Sequence, residues 1–140
     1  MPIDKILINR KITLINADLK SLKVLSKLSL KTYLSKTEYE ALAERYLERI
    51  IGRMIDVNYH VLSEKEQEIP TDFYNSFINL GRKKYLPVKL AEIMANSAGL
   101  RNRLAHEYDE IDAKKVYEAI ESCLKDVPKY LKGMVKSLDL

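Results

Sequence analysis

The chain has 140 residues, of which 31% are charged, with four Gly, four Pro and a formal net charge of +4. That length supports one domain with a real core, and sparse Gly and Pro beside abundant charge describe a helix-rich chain rather than a β-sandwich or a disordered one. The single cysteine, Cys123, excludes an internal disulfide framework and a Cys-rich zinc site.

Residues 1–36 carry eight Lys/Arg against two Asp/Glu, whereas the remainder is slightly acidic. This basic segment suits either a phosphate backbone or a plain solvated lysine face on a long helix. No apolar block with a cleavage site opens the chain, so no signal peptide is read. No run approaches ~18 uninterrupted apolar residues, so no membrane span is read either, and a cytoplasmic protein is expected.

Ile8, Ile12, Ile15, Leu19 and Leu22 alternate spacings of four and three, the seam of an amphipathic first helix. "KTYLSKTEYE" breaks the pattern, and Thr37 with Glu40 three residues later predicts a capping box for the second helix. That helix carries the seam Ala43, Leu47, Ile50, Met54, Val57 and Val61. Two such helices should pack antiparallel. "SEKEQEIPTD" reads as a loop. A short third helix is expected from about Asp72 to Leu80, with Gly81 as its C-cap. Pro87 suits the first turn of a fourth helix that ends near His106 or Tyr108. Asp112 should cap a fifth, which Pro128 kinks or ends. The expected architecture is therefore all-α, an antiparallel up-and-down bundle of about five helices forming one domain over 1–140.

The fourth helix places a charge where its apolar stripe should lie. At ~100° per residue, Leu90, Met94, Ala98, Leu104, Ala105 and Tyr108 all fall within ~80° of Arg101. A buried guanidinium cannot lose its proton, so Arg101 needs either a carboxylate partner or a cleft that receives an anion. Asp56, beside the second helix's seam, is a candidate partner. It suits a structural ion pair and an active-site orienter equally. Arg103 and Glu107, four apart on the far side, read as a surface ion pair. Asn102 and His106 flank the apolar stripe.

Arg101 and His106 lie ~140° apart on the wheel, too far for one straight helix to aim both at one atom. Two copies of the helix meeting across a two-fold axis would bring Arg101 of one chain near His106 of the other. A histidine able to move a proton near neutrality, an arginine for extra phosphoryl charge and an asparagine to orient a hydroxyl suit metal-free RNA cleavage. His60 and His106 are the only histidines, without a carboxylate cluster at ligand spacing, so no metal and no other cofactor is expected. His106 alone also fits a histidine favoured by a helix C-terminal dipole, and Tyr108 alone fits a core aromatic.

"RNRLAHEY" resembles the Arg-x4-His-x-Tyr motif of HEPN-domain toxins of the HepT-like family. "LAERYLERIIGRMIDVNYHVL", with Asp56 and His60, resembles the family's second helix. "FINLGRKKYLPVKLAEIMANSAGLRNRLAHEYDEID" resembles its third and fourth helices, and the segment from Val116 its last. The resemblance implies a HEPN-type bundle, a homodimer with both motifs in a shared cleft, and a metal-independent ribonuclease toxin acting on RNA. It implies an MNT-type nucleotidyltransferase antitoxin that silences the toxin by adding AMP to the motif tyrosine. Carried onto this chain, Arg101 and His106 become catalytic, Asn102 and Asp56 supporting, and Tyr108 the modification site. The chain departs where many relatives have a glutamate in the second helix; here that place holds Gly52, so either Asp56 orients the arginine or activity is lower. An anionic group on Tyr108, ~20° from Arg101 on the wheel, would fill and neutralise a phosphate cleft.

Two rival readings stay open. One is a binding module that grips a nucleotidyltransferase or a nucleotide without turnover. The other is a structural dimerisation bundle, which requires Arg101 to be fully paired to Asp56 or another carboxylate.

Overall fold

Asp4 accepts a hydrogen bond from the Leu7 amide at 3.0 Å and so starts α1 (Lys5–Ser26). The computed structural model describes residues 2–107 and 109–140, and among these the regular structure is six helices and no strand. Along α1, Ile8, Ile15, Leu19 and Leu22 are buried, with Ile12 packed at the edge of the core. All six predicted seam residues of α3 (Thr37–Glu66) are buried. The two helices run antiparallel, as the ties between them show: Asp4 with His60, Lys11 with Asp56, and Asp18 with Arg53.

Asp18 is the one charged residue buried among the described residues. It lies 2.6 Å from Arg53 and 3.1 Å from Arg49, so its burial is compensated twice. α6 (Ala113–Ser137), capped by Asp112, also runs antiparallel to α1, with Tyr117 reaching the Leu28 carbonyl and Lys5 the Asp139 carbonyl. α4 (Phe73–Arg82) and α5 (Val88–His106) complete the bundle and pack closely on each other. A buried polar chain crosses the core: Tyr130 donates to Asn58 at 2.5 Å, Asn58 to Ser76 at 3.1 Å, and Ser76 to the Phe73 carbonyl at 2.7 Å.

Several local expectations change. A sixth element, α2 (Leu30–Leu34), stands in the stretch read as a break; Ser29 caps it and it buries Tyr33 against Tyr117. The capping box does not form, because Thr37 is already helical, Lys36 occupies the cap, and the Thr37 hydroxyl turns to Glu38. α3 runs on to Glu66, so the loop is shorter than read. Gly81 is not a C-cap. It sits inside α4, where an added Cβ would lie 2.7 Å from the Ala91 Cβ, so glycine is there to let α4 and α5 touch. Pro128 does not end α6, since Tyr130, Leu131 and Met134 beyond it are buried and hold the helix to the core.

Candidate active site

Arg101 stands near the C-terminal end of α5, half-buried, and its guanidinium carbon lies 5.3 Å from the centroid of the Phe73 ring. Among the described residues no carboxylate comes within 4.0 Å of it. Of the two expectations for Arg101, a carboxylate partner or a cleft, the structure shows no carboxylate among the described residues and an aromatic platform beneath it. A guanidinium over a ring gains about 0.5–1 kcal/mol while its head stays wetted.

The platform is itself fixed. Asp72 caps α4 by accepting from the Asn75 amide at 2.7 Å, which sets Phe73 as the first helical residue. Tyr59 meets the Phe73 ring edge-on at 6.0 Å. Burial, and then Asp72, push the Tyr59 hydroxyl's pKa up, so it remains a protonated donor. The polar chain from Tyr130 ends on the Phe73 backbone carbonyl.

Gly52, Ile55, Asp56, Tyr59, Phe73 and Arg101 line a cleft of about 260 Å³. An added Cβ at Gly52 would meet nothing within 4 Å, so the missing side chain there leaves space. Asp56 shares the cleft with Arg101 but is paired elsewhere: its carboxylate lies 3.0 Å from the Lys11 ammonium and its side chain is 60% exposed. With Asp56 taken up by Lys11, Arg101 faces the cleft with its charge uncompensated among the described residues, an arrangement that welcomes an anion.

His106 is the last residue of α5 and is exposed. It lines a separate hollow with Glu107, Asp109 and Glu110. One chain does not bring Arg101 and His106 into one cavity among the described residues, in keeping with their angular separation. Asn102 points to solvent with no side-chain hydrogen bond among the described residues. Tyr108 lies outside the described residues. The expected Arg103–Glu107 ion pair is absent: Glu107 has left the helix as its C-cap (φ −121°), and the Arg103 guanidinium folds back toward Gly99. His60 serves the fold, its Nε2 accepting the Asp4 amide at 2.9 Å. Among the described residues no three His, Cys, Asp or Glu side chains are grouped to hold a metal.

Sequence reasoning missed Lys11, Tyr59 and Phe73. The signal for one wall was present: Gly52, Ile55, Asp56 and Tyr59 follow the i, i+3, i+4, i+7 pattern of one helical face, interrupted by a glycine and an acid. Phe73 carried no such signal, because what it touches is 28 residues away in sequence.

The family model for HepT-like ribonucleases matches residues 15–134. The chain is 38% identical over 130 residues to the tRNA nuclease HepT of Aphanizomenon flos-aquae, covering 93% of this chain and 88% of that protein. It is 25% identical over 85 residues to the mRNA nuclease HepT of Shewanella oneidensis, covering 61% and 64%. Its backbone is similar, with a TM-score of 0.83 at 20% identity over 91% of this chain and 96% of the other, to the tri-AMPylated Shewanella oneidensis HEPN toxin solved in complex with an MNT antitoxin. A toxin–antitoxin complex with AMP-PNP gives 0.80 at 19% identity over 91% and 97%.

Proposed function

The chain belongs to the HepT-like ribonuclease family, and from that premise we propose that it is the RNA-cleaving toxin of a HEPN/MNT toxin–antitoxin pair, acting in the cytoplasm as a homodimer without a metal ion. The observation that carries the reading is Arg101: half-buried, seated on Phe73, without a carboxylate among the described residues, and facing an open cleft. The structural-bundle reading needed that arginine paired to Asp56 or another carboxylate; Asp56 is on Lys11, and among the described residues no carboxylate lies within 4.0 Å of Arg101. The similarity to a tRNA nuclease makes tRNA the first substrate to test.

In the proposed reaction the ribose 2′-hydroxyl attacks the adjacent phosphorus and the bond to the 5′-oxygen breaks. His106 of the partner subunit takes the 2′ proton as general base, and solvent water gives a proton to the departing 5′-oxygen. Arg101 holds the phosphoryl oxygens and stabilises the extra charge of the pentavalent transition state. Asn102 supports the hydroxyl, and Asp56, held by Lys11, borders the cleft. The products are a 2′,3′-cyclic phosphate and a 5′-hydroxyl. An MNT-type nucleotidyltransferase is the proposed partner, and AMP added to Tyr108 is the proposed means of silencing, through the charge and bulk it places beside Arg101 in sequence.

Arg101→Ala and His106→Ala should each lower cleavage by about 10²–10³-fold or more while the thermal melt stays near wild type. Cleavage at the wild-type rate in both variants contradicts the proposal. EDTA should leave the rate unchanged and the product ends as stated; loss of activity on chelation would point to a metal mechanism. If purified protein binds RNA or the nucleotidyltransferase yet never cleaves, the binding-module reading replaces this one.

A further inference from the structure

A second cationic feature lies at the other end of α5 from His106. The loop between α4 and α5 and the last three turns of α6 enclose a groove of about 980 Å³. Lys84, Lys89, Lys129, Lys132 and Lys136 line it, with Asp126 as the one acid. None of the five lysines lies within 4.0 Å of a carboxylate among the described residues. Its floor is largely apolar, made by residues such as Leu86 and Leu90.

The groove is held open by the fold. An added Cβ at Gly133 would lie 2.9 Å from Leu86, so a glycine in α6 lets the loop sit down on the helix. The Ser137 hydroxyl donates to the Tyr85 carbonyl at 2.8 Å and pins the loop's other side. Lys84 adopts a left-handed conformation, φ 67°, which a residue with a side chain rarely takes, and this turns the chain at the groove's rim. A fixed backbone thus carries a row of free ammonium groups.

We propose that this groove is an RNA-backbone docking site, separate from the Arg101 cleft and contacting phosphates without reading bases. The inference rests on the ribonuclease reading above. The positive charge within the groove is entirely lysine. Lysine ammonium groups act as point charges that attract phosphate without arginine's rigid fork, which suits contact with a backbone rather than recognition of a particular group. Lys129, Lys132 and Lys136 follow one face of α6 over ~10 Å, a row that suits a tracking polyanion. The apolar floor suits ribose and base faces without choosing among them. Lys89 and His106 are separated by 17 residues of α5, or ~26 Å, so one RNA of tRNA size spans both places.

The experiment uses His106→Ala protein, so that RNA is bound and not consumed, and measures the affinity of a labelled tRNA by fluorescence anisotropy across a salt series. Adding Lys129→Ala, Lys132→Ala and Lys136→Ala should weaken binding at least tenfold at low salt and reduce the log–log salt slope by about 2, since each lost phosphate contact removes ~0.7–0.9. A control that removes the same charge from α1, Lys20→Ala with Lys23→Ala and Lys27→Ala, should weaken binding much less. Lys20 and Lys23 are exposed helical lysines and Lys27 is the exposed C-cap of α1, and a thermal melt checks that both proteins remain folded. Equal losses in the two triple variants would overturn the proposal, because net charge alone would then explain binding. So would unchanged RNA affinity accompanied by lost capture of the nucleotidyltransferase, which would make the groove a protein site. If wild-type protein cleaves RNA but the α6 variant binds normally, the docking site alone fails. If wild type neither binds nor cleaves RNA, the ribonuclease reading fails with it.

Discussion

Phe73 does for Arg101 what a carboxylate would ordinarily do, and the difference matters for chemistry. A carboxylate partner would neutralise the guanidinium, whereas an aromatic face orients it and leaves its charge free for a phosphoryl group. Phe73→Leu keeps an apolar filler but removes the ring. We expect kcat/KM for RNA cleavage to fall about two- to fivefold, the size of an exposed cation–π contact, with the melting temperature little changed. No change in kcat/KM would show that the ring only fills space. Cys123 shows the opposite case, a chemically capable side chain held idle. Burial first and Asp126 second push its thiol up to about 12, so native protein should resist alkylation at neutral pH while unfolded protein reacts readily. Arg101 was legible in the sequence because it interrupted a periodic pattern. Phe73 and Lys11 were not, because a tertiary contact leaves no local trace, while Tyr59 showed only as one position on a helical face.

Between elements, α4 and α5 pack closely on each other, and a glycine permits the approach at Ala91. Gly81→Ala should gain ~1 kcal/mol of helix propensity in isolation, yet overpacking against Ala91 costs ~1–3 kcal/mol. We expect a net loss of about 1 kcal/mol, read as a melting temperature lower by roughly 3 °C; a rise would mean that the two helices part freely. Because α4 carries Phe73, the same contact sets the distance between platform and arginine. The long helices were readable from their seams, since burial repeats every three or four residues over many turns. What failed to show was whatever depends on a neighbour. α2 is too short for a period and exists to seat Tyr33 beside Tyr117. Gly81 looks like a terminator until Ala91 is placed against it. Pro128 looks like one until the buried residues beyond it are seen to hold α6 in place.

For the molecule as a whole, one chain offers half of a site twice. Arg101 opens into one hollow and His106 into another, and a two-fold pairing of α5 would join the first of one chain to the second of its partner. The lysine-lined groove at the far end of α5 would then lie outside that junction, one on each protomer, where a long RNA can reach it. The shared site is the central claim, and subunit complementation tests it most directly. Arg101→Ala and His106→Ala proteins are each expected to be inactive as homodimers. Mixed and allowed to exchange, half of the dimers carry both variants and each such dimer rebuilds one intact site of two, so cleavage should return to roughly a quarter of the wild-type rate. Mixed dimers that form, as shown by differential tagging, yet leave RNA uncut would contradict the account.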